Sequence, residues 1–98
     1  MEEQRESMGR IEVAPEVLAT IANFAVRRVE GVSQMAPIPP HIASMFRRAT
    51  RQDGIVLDIV DNRVRFNIYV IMEPQVNVLE ASREMQSAVT EAIDTLVG

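Results

Sequence analysis

Few residues in this chain could do chemistry. His41 is the sole histidine, and it stands beside Pro39 and Pro40 with no cysteine or carboxylate pair near it. A metal site needs several convergent ligands, so His41 reads as a surface histidine. Asp53, Asp58 and Asp61 lie close together and invite a cation reading. Their spacing matches no calcium loop, and the hairpin register derived below pairs Asp58 with Arg65 and puts Asp61 in a turn. Ser7, Ser33, Ser44, Ser82 and Ser87 have no nucleophile-elbow context. The glycines, Gly9, Gly31, Gly54 and Gly98, are scattered, so neither a phosphate cradle nor a GxxG loop is present. The absence of cysteine excludes disulfides, zinc fingers and thiol catalysis. No catalytic, metal or cofactor constellation is expected. One cluster remains: Arg47, Arg48 and Arg51 beside Ile42, Met45 and Phe46. Such a basic amphipathic turn could grip an acidic partner or an anionic surface, or could be a solvated cover over one end of the core. Three arginines at about 1 kcal/mol each make a weak membrane anchor, which favours an adaptor over a free-standing anchor.

The composition frames these residues. A chain of 98 residues, 47% hydrophobic and 24% charged, has the size and balance of one soluble domain. The net charge of −4 opposes general nucleic-acid binding. All ten basic residues are arginine, a bias with no functional meaning of its own. The polar, acidic start is unlike a signal peptide, and no apolar run approaches the ~20 residues of a membrane span. A cytoplasmic protein is expected, with residues 1–8 a disordered tail and 9–98 one domain.

The elements that must position any surface follow from periodicity. Arg10 to Val13 is a short strand candidate. Pro15 suits the first position of a helix and Glu16 its dipole. Ala14, Val17, Leu18, Ile21, Ala22, Phe24, Ala25 and Val29 form one broad apolar face, and Gly31 is expected to cap the helix. Residues 35–40 read as a linker, and His41 to Ala49 as a short helix closed by Asp53-Gly54. Asp61-Asn62 is a two-residue hairpin turn. It sets Ile59 opposite Val64, Leu57 opposite Phe66 and Ile55 opposite Ile68 on one face, with Asp58 against Arg65 on the other. The second strand continues through Val70 and Met72 to Pro74. Asn77 caps a last helix with Glu80 answering it, and Val78, Ser82, Met85, Val89, Ala92 and Leu96 form its core stripe. The order, β-α-α-β-β-α, predicts an α+β fold: a small, mainly antiparallel sheet of three strands with helices packed on one face. Among the aromatics Phe24, Phe46, Phe66 and Tyr69, the apolar alignments assign three to the interior, which leaves no base-stacking platform.

The stretch "GRIEVAPEVLATIANFAVRRVEGVSQM" resembles the N-terminal signature of the alkaline shock protein family of bacterial envelope-stress proteins. Gly9, Ile11, Val13, Glu16, Val17, Val29, Gly31 and Val32 occupy the places of its glycine-led strand and of its helix ending in V-x-G-V. The resemblance continues through "GIVLDIVDNRVRFNIYVIME", similar to the family's hairpin, and "VNVLEASREMQSAVTEAIDTLVG", similar to its final helix. Two departures stand out. Members usually continue past that glycine into a further strand, and they often carry a tyrosine-glycine turn where this chain has Met72 to Asn77. The resemblance implies a non-enzymatic cytoplasmic protein that gathers at the inner face of the membrane through a membrane-anchored relative, or self-associates.

The function expected is a protein–protein interaction or scaffold module in envelope homeostasis, with no cofactor, nucleic acid or small-molecule substrate. A small α+β RNA-binding module is the alternative, opposed by the acidic charge. The candidate partner surface is Arg47, Arg48 and Arg51 with Val56, Val60, Tyr69 and Ile71, which the register turns away from the Leu57–Phe66 face. A free sheet edge would add to it.

Overall fold

The computed structural model describes residues 13–45 and 49–97. Eight elements follow in order: α1 (Pro15–Arg27), β1 (Val32–Met35), α2 (Pro40–Met45), β2 (Thr50–Gln52), β3 (Ile55–Val60), β4 (Arg63–Ile68), β5 (Val70–Met72) and α3 (Val78–Val97). The fold is α+β, as the sequence implies. Among the described residues the strands are five, in an antiparallel β2-β3-β4 meander and an antiparallel β1-β5 pair. The expected tail and most of the Arg10–Val13 strand lie outside the described residues. Val13 itself sits in a bend and packs half-buried against the core.

Two tight turns build the meander. Asp61 and Asn62 both take positive φ (51° and 64°), the geometry of a two-residue hairpin loop. The resulting register pairs Ile59 with Val64, Leu57 with Phe66 and Ile55 with Ile68, and Asp58 with Arg65. On the outer face Arg65 donates to Asp58 at 3.0 Å. The second turn corrects the sequence reading. Asp53 (φ 41°) and Gly54 (φ 85°) do not close a helix but join β2 to β3, with Gln52 opposite Ile55. The expected helix through Ala49 ends at Met45 within the described residues, and Ala49 is non-helical.

α1 begins with Pro15 at its first position and Glu16 in its first turn. It ends at Arg27, before Gly31. Gly31 takes φ 99° in the turn leading to β1, where its carbonyl accepts the Glu73 N–H. The buried stripe is Leu18, Ala19, Ala22 and Val26, an i, i+4 row turned onto β2 and β3. At the turn of that hairpin, Asn23 donates to the Asp53 carbonyl, and Arg27 pairs with the Asp53 carboxylate. Leu18, Ala22 and Val26 meet Ile55 and Leu57 of the sheet and Met85 and Val89 of α3 in one core. α3 starts where expected: the Asn77 side chain accepts the Glu80 N–H at 3.0 Å. Its buried positions are Ala81, Met85 and Val89, whereas Val78 and Leu96 at the ends of the expected stripe are exposed.

Not all helices share one face. Arg51 pairs with Val56 across β2 and β3 and so projects on the same, outer side. Its guanidinium donates to the Ala43 carbonyl of α2, tying that helix to the side opposite α1.

Gly54 sits where two backbone carbonyls converge. A Cβ there would lie 2.8 Å from the Tyr69 carbonyl oxygen and 3.0 Å from that of Ala36. Gly54→Ala is expected to cost about 3 kcal/mol, from the left-handed backbone and a contact that backbone atoms cannot yield. Thermal or urea unfolding checks this; a midpoint equal to wild type would contradict the packing described. Asn77→Ala removes only a cap and is expected to cost about 1 kcal/mol in the same assay.

Candidate functional site

Three surfaces have the character of a site. The first is the open edge of the long strand β4–β5. The Tyr69 N–H donates to the Gly54 carbonyl at 2.8 Å, and the Tyr69 carbonyl accepts the Ala36 N–H at 2.9 Å. Both groups of one extended residue point to the same edge, so β3 and β1 follow one another along a single side of residues 63–72. On the other side no strand pairs among the described residues. Alternation then assigns the backbone groups of Val64, Phe66, Ile68, Val70 and Met72 to the open edge. These five side chains also face the core, each only half-buried. Two hollows open between this strand and the first half of α3. One, about 180 Å³, is lined by Phe66, Ile68, Ser82, Met85 and Gln86. The other, about 350 Å³, reaches Val70, Met72 and Val78.

The second surface is a groove of about 680 Å³ between α1 and α3, floored by Ile21, Ala25, Ala88 and Ala92 and walled by Phe24 and Leu96. Phe24 is 62% exposed, which corrects its assignment to the interior. It lies about 200° around the helix from Ala22 at 100° per residue, away from the sheet. The Arg28 guanidinium carbon sits 5.4 Å from the Phe24 ring centroid. α1 therefore has two apolar faces, one on the sheet and one on the groove.

The third surface is the one expected from sequence. Val60 and Ile71 are exposed on the outer face, and Tyr69 is half-buried. Val56 is only 1% exposed, so it is part of the interior and not of a contact surface. Register alternation alone puts Val56 on the outer face; on that same side its cross-strand neighbour Arg51 donates to Ala43 of α2. Arg51 is exposed but committed to Ala43. Arg47 and Arg48 of the expected basic cluster lie outside the described residues. Among the described residues no group of three His, Asp or Glu side chains could hold a metal ion, and no helix is long and apolar enough to cross a membrane.

The open edge was legible only as the general risk of a free strand. Its position depends on β1, whose interrupted alternation hid it. The helix groove had a signal: at 100° per residue Phe24 stands on the far side of α1 from Ala22.

Comparison with known proteins places these surfaces in a family. The model of the alkaline shock protein family, described as having a cell envelope-related function, matches residues 3–98. The chain is similar to the uncharacterized protein YqhY of Bacillus subtilis, 22% identical over 95% of this chain and 70% of that one. It is also similar to the uncharacterized protein Spy1614 of Streptococcus pyogenes serotype M6, 26% identical over 92% of this chain and 77% of that one. No solved structure matches.

The two faces of α1 separate in a stability assay. Phe24→Ser is expected to change unfolding free energy by less than about 0.5 kcal/mol, as at other exposed sites. Leu18→Ala, at a fully buried position, is expected to cost about 3–5 kcal/mol. Comparable losses for both would put Phe24 in the core.

Proposed function

Since the chain belongs to the alkaline shock protein family, whose function is cell envelope-related, we propose that it is a non-enzymatic interaction module of the cell envelope. It works from the cytoplasmic side, by self-association or by docking to a membrane-anchored partner. The observation that carries this reading is the open edge of β4–β5. Along residues 63–72 a row of backbone donors and acceptors lies beside a row of half-buried apolar side chains, the arrangement that recruits a further strand. The three surfaces offer apolar area, and the open edge adds backbone donors and acceptors unpaired among the described residues, features that suit the holding of a partner.

The test is complementation. A deletion strain of the native host is challenged with alkaline or cell-wall stress and supplied with wild type, Phe24→Asp or Val70→Pro. Proline removes the N–H that Val70 turns to the open edge. Wild type is expected to restore survival, and Val70→Pro is expected to fail while its circular dichroism and expression match wild type. Full rescue by a folded Val70→Pro would remove the open edge from the function. A deletion strain indistinguishable from its parent under every envelope stress would count against the envelope role itself.

A further inference from the structure

We propose that the occupant of the open edge is a second copy of this chain, joined antiparallel about a two-fold axis at Ile68. The inference rests on the interaction reading above and names its partner. An antiparallel strand pair between identical chains is self-complementary only if residue i faces a fixed j. With the axis at Ile68, Phe66 faces Val70 of the second copy, Val64 faces Met72, and Arg63 faces Glu73.

Four features agree with that register, the second by excluding every axis that falls between residues. The first is length. The strand is bounded by the Asp61-Asn62 turn and by Pro74, and the midpoint of 63–73 is residue 68, so this axis gives the longest overlap. The second is parity. The residues whose backbone groups face the open edge are the even-numbered ones, and an axis at Ile68 pairs even with even, so these residues exchange their N–H and C=O bonds. An axis placed between two residues would set outward groups against inward ones.

The third is charge. Arg63 and Glu73 are both exposed, and neither takes part in an ion pair among the described residues. In this register they meet twice, once at each end of the interface. An axis at Phe66 would set Arg63 against Tyr69, and one at Val70 would leave Arg63 unpaired. The fourth is the apolar remainder. On the outer side Arg65 lies opposite the exposed Ile71, whose surface its stem can cover. On the inner side Val78 is 65% exposed beside the hollow that Val70 and Met72 line. Val64 of the second copy, opposite Met72, stands at the mouth of that hollow. The product is one continuous sheet with β4–β5 of both copies at its centre.

The chain has no cysteine, so a single introduced thiol reports the axis without background. Across a hydrogen-bonded antiparallel pair the Cα atoms are about 5.5 Å apart, within the roughly 4.4–6.8 Å that a disulfide spans. In the full chain, Ile68→Cys treated with oxidised glutathione is expected to form a covalent dimer, each new S–S bond releasing two glutathione thiols. Phe66→Cys is displaced from its own copy by four residues, about 13 Å, and is expected to remain uncrosslinked. Sedimentation equilibrium supplies a readout that needs no thiol. Arg63→Glu is expected to weaken dimerisation about tenfold, and the exchange Arg63→Glu with Glu73→Arg to return it to within about threefold of wild type.

Crosslinking at Phe66 and not Ile68 would overturn the axis. A wild-type monomer at every concentration would overturn the second copy as occupant. If that monomer also shows the amides of Phe66 and Ile68 protected from hydrogen exchange, another segment of the same chain fills the edge. A dimer proposal that fails while Val70→Pro still abolishes rescue leaves the interaction reading standing, with the strand supplied by a different protein.

Discussion

Tyr69 bonds through its N–H to Gly54 and through its carbonyl to Ala36, and the rest of the architecture depends on that division. One residue joins the β2-β3-β4 meander to the β1-β5 pair, end to end along the same side of one strand. Gly54 must be glycine because the Tyr69 and Ala36 carbonyls converge on the place a Cβ would take. With both small sheets on one side of residues 63–72, the strand's other side has no partner left among the described elements. The core is laid down accordingly. α1 covers β2 and β3 with Leu18, Ala22 and Val26, while the β4–β5 side chains are only half-covered.

How much of this was legible in sequence depends on whether the controlling interaction was local. The Asp61-Asn62 hairpin was readable because turn chemistry, apolar face and the Asp58–Arg65 pair all specify one register. Asn77 with Glu80 was readable for the same reason, a cap within four residues of its partner. Asp53-Gly54 carried an equally strong hairpin signal, but β2 is three polar-leaning residues, and the signal was assigned to a helix end. β1 was hidden by its bulge: the register shifts between Val32 and Gln34, so its burial does not alternate. Phe24 and Val56 failed in opposite directions. A helix has one buried face only if one neighbour covers it, and α1 has two neighbours. A sheet's outer face is solvent only if nothing is tied over it, and Arg51 ties α2 there.

The candidate site was less legible than the fold, for a physical reason. Catalytic or metal sites announce themselves in sequence through rare residue types at fixed spacing. A contact surface made of backbone edge and ordinary aliphatic side chains has no such marker. Residues such as Val64, Ile68 and Val70 look like core in any alignment of periodicities, and they are core, on one side. What makes them surface is the missing neighbour, which only topology reveals. The family match itself gives a cell envelope-related function.

Strand geometry explains why this surface couples so directly to stability. In an extended chain the side-chain direction and the N–H direction alternate together. The residues that turn their backbone toward the open edge are therefore the same ones that turn their side chains toward the core. A strand added along residues 63–72 satisfies the backbone of Phe66, Ile68 and Val70 and extends the cover over their side chains in one step. Natural edges are usually blunted by proline, a bulge or an inward charge. Among the described residues, the open side between Arg63 and Glu73 has none of these: the charges of Arg63 and Arg65 project to the outer face, and the bulge lies on β1, across the occupied side. An edge this long, regular and apolar beneath, on a chain with a net charge of only −4, would be an aggregation hazard if it had no designated partner.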